Sequence, residues 1–126
     1  MKHLAVIILC WTVMANPVRV IDGDTFVADV KAWLGLTTRE TVRVRGVNTP
    51  EIHGATKAAG MVSRQFTIDW LAGALTLGTP NFDGSVTLTT CGRDAFGRVL
   101  ADIKRGESNL SDDLIGAGLG VDYRRK

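Results

Sequence analysis

Short stretches in which hydrophobic and polar residues alternate dominate the first half of the sequence. They cover residues 18–20, 25–30 and 41–47. Alternation with a period of two is typical of a strand with one buried face, so these stretches predict three strands. Asp22-Gly23 separates the first two strands and predicts a tight hairpin turn. Residues 31–40, which contain Trp33 and Gly35, are interpreted either as a longer connection or as a flared hairpin end.

The period changes over residues 57–77, where the pattern predicts an amphipathic helix. Its apolar stripe consists of Val62, Phe66, Trp70 and Ala74, broadened by Leu71 and Leu75. Gly78 and Pro80 are expected to end this helix. Strands are predicted again at residues 85–91 and 98–103, and a short helix is expected to begin near Asn109 or Ser111.

The order of elements is therefore three strands, a helix, two strands and a helix. In a chain of 126 residues this order predicts a single α+β domain. The specific expectation is a five-stranded OB-fold Greek-key barrel, with one helix packed at one end and a short C-terminal helix.

The first fifteen residues have a different composition. Lys2 precedes a largely apolar run that ends in small residues at 13 and 15. This pattern predicts a secretory signal peptide over residues 1–15 and a mature domain over residues 16–126. The alternatives are a buried first element and an uncleaved membrane anchor. Cleavage implies export to the periplasm or medium without stable membrane association, and it leaves Cys91 with no disulfide partner.

The formal net charge of +2 is too small to indicate a nucleic-acid partner by itself. Any functional case must rest on where the charged residues lie. Asp22 is explained by turn formation, because Asp commonly precedes Gly in turns. Asp24, by contrast, stands at a strand start, where Asp is disfavoured, and it is better explained as a ligand.

A second group of polar residues follows the third strand. Asn48 and the carbonyl oxygen of Thr49 could join Asp24 as ligands of a hard cation such as Ca²⁺. Glu51 lies just beyond them, where it could activate a water molecule. Taken alone, this segment is equally well explained by a turn at Asn48 and a solvated Glu51.

Arginines complete the candidate site. Arg43 and Arg98 come from separate strands and could grip one phosphodiester, because a planar guanidinium binds phosphate oxygens in a bidentate manner. Arg45 shares the face of Arg43 by strand parity and competes for this role.

Together these segments resemble the thermonuclease (staphylococcal nuclease) family. The matching text is VRVIDGDTF at 18–26, VRVRGVNTPEI at 42–52, DAFGRVLADI at 94–103 and LIGAGLGVDY at 114–123. The resemblance runs in the family's order from about residue 18 to residue 123. The set of segments is specific, although each segment alone would be a weak signal.

The resemblance implies an endonuclease that cuts DNA and RNA with one Ca²⁺ and leaves a 3′-phosphate. The metal ligands would be Asp24, Asn48 and the Thr49 carbonyl. Glu51 would be the general base, and Arg43 and Arg98 would clamp the phosphate. A monomer is expected, because a small closed barrel leaves no free strand edge.

The chain also departs from the family pattern. Asn48 stands where the family usually has Asp, which removes one negative charge from the metal site. Phe96 replaces a tyrosine but can still stack on a base. Tyr123 is a second stacking candidate whose spacing does not align cleanly. Two alternatives therefore stay open, namely a nucleic-acid-binding OB module without catalysis and an OB domain for other partners.

Overall fold

The computed structural model describes residues 9–73 and 84–124. Its long strands are β1 (Trp11–Asp22), β2 (Thr25–Trp33), β3 (Leu36–Val44), β5 (Val86–Arg93) and β6 (Val99–Arg105). Two-residue strands form β4 (Val47–Asn48), β7 (Ser108–Asn109) and β8 (Val121–Asp122). A 3₁₀ turn at Gly54–Thr56 leads into α1 (Lys57–Ala72), and α2 covers Leu110–Gly116.

The five long strands close into a barrel. β1 pairs with β2 and β5, β2 with β3, and β5 with β6, all antiparallel. A parallel pairing of β3 with β6, from Val42 opposite Val99 to Val44 opposite Ala101, closes the ring. The described residues thus form an α+β protein with a closed five-stranded barrel and two α-helices, consistent with an OB-like barrel.

The core is formed by inward-facing strand residues and by both helices. Phe26, Val42, Leu88 and Ile103 are fully buried in the barrel. Trp70 and Leu71 of α1, and Leu110 and Leu114 of α2, belong to the same cluster. Alternate residues of β3, β5 and β6 face this core, as the period-2 pattern of a strand with one buried face requires. In β2, by contrast, the four consecutive residues 25–28 are all buried.

Residues 31–40 form strand rather than a long connection. β2 and β3 continue to Trp33 opposite Leu36, and only Leu34 and Gly35 make the turn. Both turn residues have positive φ, 20° and 82°, as a two-residue primed hairpin turn requires. The interpretation of residues 31–40 as a hairpin end is therefore confirmed. The position of the turn was not predicted, because Leu-Gly is not a typical turn pair.

The buried face of α1 differs from the predicted stripe. Gly60, Ser63 and Thr67 are buried beside Trp70 and Leu71. Val62, which was predicted to face the core, is 55% exposed, so that assignment was wrong. The predicted helix over residues 57–77 was too long, because α1 ends at Ala72 and Gly73 caps it in the left-handed conformation. Ala74 and Leu75, and the predicted stops at Gly78 and Pro80, lie outside the described residues.

The N-terminal segment takes part in the barrel. Residues 11–15 pair with β5, and Ala15 is fully buried. Cys10 forms a disulfide with Cys91, so the prediction that Cys91 has no partner was wrong. The signal peptide of residues 1–15 stays a prediction; cleavage after Ala15 would remove Cys10 and this part of β1.

Within residues 9–73 and 84–124, no helix has the length and apolarity needed to cross a membrane.

Candidate functional site

Asp24 lies in the turn between β1 and β2 and is 7% exposed. Its Oδ1 accepts a hydrogen bond from the Thr25 hydroxyl at 2.9 Å, and its Oδ2 accepts one from the Thr49 amide at 3.0 Å. The second bond ties the β1–β2 turn to the segment after β4. Two segments far apart in the sequence thus meet at one carboxylate.

Arg43 of β3 contacts the same region around Asp24 through its guanidinium. Its Nη1 donates to the carbonyl oxygens of Val44 and Val47 at 2.7 and 2.8 Å. Its Nη2 lies 3.3 Å from Asn48 Oδ1 and 3.5 Å from Asp24 Oδ2. The side chain is only 13% exposed, so the guanidinium is largely occupied by the protein's own oxygens.

Asp22 is a site residue that sequence reasoning explained as turn chemistry alone. Burial and then the negative charge of Asp24 raise the pKa of the Asp22 carboxyl above its ordinary value. The Ile52 amide hydrogen-bonds this carboxyl and lowers the pKa, whereas the charge of Glu51 raises it. Asp24 and Glu51 therefore both lie close enough to Asp22 for their charges to raise its pKa. The repeated acid in Asp22-Gly23-Asp24 is the only sequence signal that could have indicated this.

Glu51 is exposed, and its carboxylate makes no hydrogen bond to any described residue. Its backbone is held more firmly, because its carbonyl oxygen accepts a hydrogen bond from the Thr56 hydroxyl at 2.8 Å. Gly60 of α1 packs directly against the Glu51–Ile52 peptide, leaving no room for a Cβ. A fixed backbone with a free carboxylate suits a group that must contact water.

Helix α1 supports the acidic turn through small and polar residues. The Thr67 hydroxyl donates to the Gly23 carbonyl at 2.6 Å, and Arg64 Nε donates to the Val20 carbonyl at 3.2 Å. A Cβ at Gly23 would lie 2.9 Å from Ser63 Cβ, so the turn approaches the helix too closely for any side chain there. Sequence reasoning missed these supports because it sought apolar residues on the buried helix face.

Arg98 immediately precedes β6 and is oriented by Asp94. Its Nε donates to Asp94 Oδ2 at 2.7 Å, and its amide donates to Asp94 Oδ1 at 2.9 Å. The guanidinium carbon lies 5.2 Å from the ring centroid of Phe96, which is 83% exposed. Both terminal nitrogens of Arg98 are without a hydrogen bond to the described residues. Arg98 thus keeps the pair of donors that bidentate phosphate binding uses.

The two arginines predicted as a clamp occupy neighbouring strands. Val42 and Val99 are paired and buried, so Arg43 and Arg98, next to them, belong to the outward-facing positions. Arg45 shares this face but is ion-paired with Asp102 of β6 at 2.8 Å. Arg45 therefore already has a carboxylate partner, whereas the terminal nitrogens of Arg98 have none among the described residues.

Tyr123 reaches the same region from the C-terminal side. β8 pairs with β4, and the Tyr123 amide donates to the Gly46 carbonyl at 2.9 Å. The ring is 66% exposed. It follows the strand that pairs with Asn48 and offers a second aromatic surface beside the site.

The residues present fit a hard cation in type, because they offer carboxylate, amide and peptide oxygens. The carboxylate of Asp24 and the amide oxygen of Asn48 both contact Nη2 of Arg43, so a metal ion would take over contacts that this guanidinium makes. The Thr49 hydroxyl beside them is buried without a partner among the described residues. No group of three or more Asp, Glu, His or Cys side chains that could hold a metal ion is found in residues 9–73 and 84–124. The ligand set thus depends on amide and peptide oxygens, which Ca²⁺ accepts.

Comparison with known proteins gives no relative. The chain matches no protein-family model, and no curated protein matches its sequence significantly.

Proposed function

We propose that this protein is a metal-dependent endonuclease that hydrolyses phosphodiester bonds in DNA or RNA. The observation that carries the proposal is the convergence at Arg43 Nη2, which contacts both Asp24 and Asn48 beside the segment that bears Glu51. A phosphodiester needs positive groups for its oxygens and a base for the attacking water, and these residues supply both. The resemblance to the thermonuclease family, whose fold is an OB-fold Greek-key barrel, supports the same function.

In the proposed reaction, Glu51 takes a proton from a water molecule that attacks phosphorus. The bond to the 5′ oxygen breaks, the 5′ oxygen is protonated, and a 3′-phosphate remains. Arg98 and the remaining donors of Arg43 bind the non-bridging oxygens and stabilise the charge that grows on them. Ca²⁺ held by Asp24, Asn48 and the Thr49 carbonyl would supply further positive charge. Phe96 and Tyr123 would stack on bases next to the scissile bond.

A second candidate is an OB module that binds nucleic acid without cutting it. Asn48 favours this candidate, because it gives the site an amide in place of a carboxylate. Glu51 and the free donors of Arg98 favour the enzyme, since binding alone requires no general base.

One assay separates the two candidates. Single-stranded DNA is incubated with the purified protein in Ca²⁺ or in a chelator, alongside Glu51→Gln. The matched control is Glu107→Gln, which changes an exposed glutamate in the β6–β7 turn. Cutting that requires Ca²⁺ and Glu51, but not Glu107, supports the nuclease. DNA binding that persists in chelator without any cutting supports the binding module.

We also propose that the protein is exported and monomeric. The Cys10–Cys91 disulfide supports export, because disulfides persist mainly in oxidising compartments. This disulfide and the pairing of residues 11–15 with β5 favour a protein that retains its N-terminal segment. They therefore favour the two alternatives in which the segment is retained, as a first strand of the barrel or as an uncleaved anchor, over release by cleavage after Ala15.

A further inference from the structure

The tip of the β2–β3 hairpin carries large apolar side chains that the fold does not bury. Trp33, Leu34 and Leu36 are 72%, 87% and 63% exposed. The polar turn residues common at such positions would keep a hairpin tip hydrated. These three side chains therefore form a continuous apolar surface, called here the hairpin tip.

Local folding does not explain the leucine at the turn. Leu34 has φ of 20° and is the only described residue other than glycine with positive φ. Asn, Asp and Gly adopt such conformations more readily than Leu. An exposed apolar residue in an unfavourable backbone conformation indicates that its side chain contacts another molecule.

A second apolar surface lies at the same end of the barrel. A cavity of about 250 Å³ there is lined by Trp11, Val13 and Ala32, among others. Residues of early β1 therefore share this opening with the end of β2 that leads into the hairpin tip. Leu9 and Trp11 are themselves 64% and 56% exposed.

The sequence that precedes this surface is also apolar. Residues 4–9 read Leu-Ala-Val-Ile-Ile-Leu, and Lys2 lies just before them. This apolar sequence continues directly into Trp11, which lies at the end of the barrel where the hairpin tip is exposed. Tryptophan and leucine beside an apolar segment are the residues expected at a membrane–water interface.

We propose that this end of the barrel is a membrane contact surface, with the hairpin tip inserted into the bilayer interface beside Leu9 and Trp11. The contact is mainly apolar, because the nearby arginines Arg39 and Arg93 are ion-paired with Asp29 and Glu40. Among the described residues Lys31 adds a single exposed cation without an ion pair beside the tip, which is a small electrostatic contribution. Binding should therefore occur on zwitterionic vesicles and change little with salt. This inference does not depend on the proposed nuclease activity.

Vesicle flotation with the full chain and phosphatidylcholine vesicles tests the proposal. The variant Trp33→Ser/Leu34→Asn/Leu36→Thr removes the apolar tip, and asparagine tolerates the turn conformation at 34. Its vesicle affinity should fall about tenfold or more through the lost apolar burial. The matched control Met61→Gln/Val62→Gln changes exposed apolar residues of α1 and should bind as the wild type does.

Tryptophan quenching by brominated phosphatidylcholine distinguishes the tip from the N-terminal segment. In a Trp11→Phe background the remaining tryptophans are Trp33 and Trp70, and Trp70 is only 4% exposed. Quenching of Trp33 on vesicles supports the proposal. Vesicle-bound protein with unquenched Trp33 overturns it, as does unchanged affinity of the tip variant. A dimer that the tip variant abolishes would identify a second copy of the chain as the occupant and also overturn the proposal.

Discussion

Gly60 of α1 lies against the peptide that joins Glu51 to Ile52, and a Cβ at this glycine would overlap the Glu51 carbonyl group. The helix therefore has a flat face where the segment with the proposed general base crosses it. A glycine inside a helix costs about 1 kcal/mol relative to alanine. Here the missing side chain is what allows Glu51 to approach.

Gly60→Ala should reduce turnover because it displaces the Glu51 backbone. A shift of about 1 Å at a catalytic group can lower the rate about 100-fold. Turnover of single-stranded DNA at saturating substrate measures the effect. The control is Gly116→Ala at the end of α2, where a Cβ would meet nothing within 4 Å. Equal turnover in the two variants would contradict a positioning role for Gly60.

Arg43 and Arg98 should differ in their effects on stability. Arg43→Gln removes a largely buried charge that contacts four oxygens, and it should lower the free energy of unfolding by about 3 kcal/mol. Arg98→Gln breaks one partly exposed ion pair and should cost less than about 1 kcal/mol. Urea denaturation measures both values.

The turnover of Arg43→Gln and Arg98→Gln on single-stranded DNA is the second measurement. Each variant should have a lower turnover than the wild type if both arginines contact the phosphate. A variant of Arg98 with full activity would leave Arg43 as the only phosphate ligand of the pair and would remove the proposed clamp.

Asn48→Asp should strengthen Ca²⁺ binding, because it adds a negative charge to the proposed ligand set. Affinity should rise about tenfold, measured by isothermal titration calorimetry. Asn16→Asp, at an exposed position of β1, adds the same charge elsewhere and serves as the control. An identical response of both variants would show that net charge, and not ligation at residue 48, accounts for the change.

Asp94 should make stability depend on acid pH. Partial burial opposes ionisation of its carboxyl, but hydrogen bonds from the Arg98 side chain, the Arg98 amide and the Phe96 amide outweigh it and lower the pKa. The contribution of Asp94 is therefore complete above its unfolded-state pKa of about 3.9 and disappears as pH falls through the lower folded-state value. Asp94→Asn should show a smaller loss of stability than the wild type between about pH 4 and pH 2. Acid titrations followed by circular dichroism that coincide for the two proteins would argue against this pairing.

Reduction of the Cys10–Cys91 disulfide should destabilise the barrel. The two cysteines are 81 residues apart, and closing a loop of this size contributes about 4 kcal/mol in the chain-entropy model. Thermal unfolding with and without reductant measures the effect, and Cys91→Ser should be insensitive to reductant. A chain that begins at Asn16 should be weaker still, because it also loses the pairing of residues 11–15 with β5. Unchanged stability after reduction would mean that the disulfide contributes little.

The sequence allowed the order of the long strands and α1 and the closed barrel to be predicted, because strands and helices leave local patterns. Alternation indicated β3 and β5, and the candidate residues Asp24 and Arg43, whose roles stay predictions, were selected because turn and strand preferences did not explain them. Other contributions depend on contacts between segments that are far apart in the sequence, and local patterns do not reveal these contacts. Examples are the carboxylates near Asp22 and the backbone carbonyl groups that contact Gly60 and Thr67. The disulfide was missed for a related reason, since the apolar pattern of residues 1–15 suggested a segment that leaves the protein, whereas Trp11–Ala15 pair with β5.

Only three residue pairs between β3 and β6 close the barrel. The proposed phosphate ligands Arg43 and Arg98 lie on either side of this junction. Transient separation of these strands would move Arg98 away from Arg43 while the antiparallel pairings elsewhere remain intact. Heating should therefore abolish the proposed nuclease activity before the molecule unfolds. Activity would then report on the β3–β6 pairing, and spectroscopy on the remaining sheet. A cross-link across this junction would be the most direct way to raise the temperature at which the protein still works.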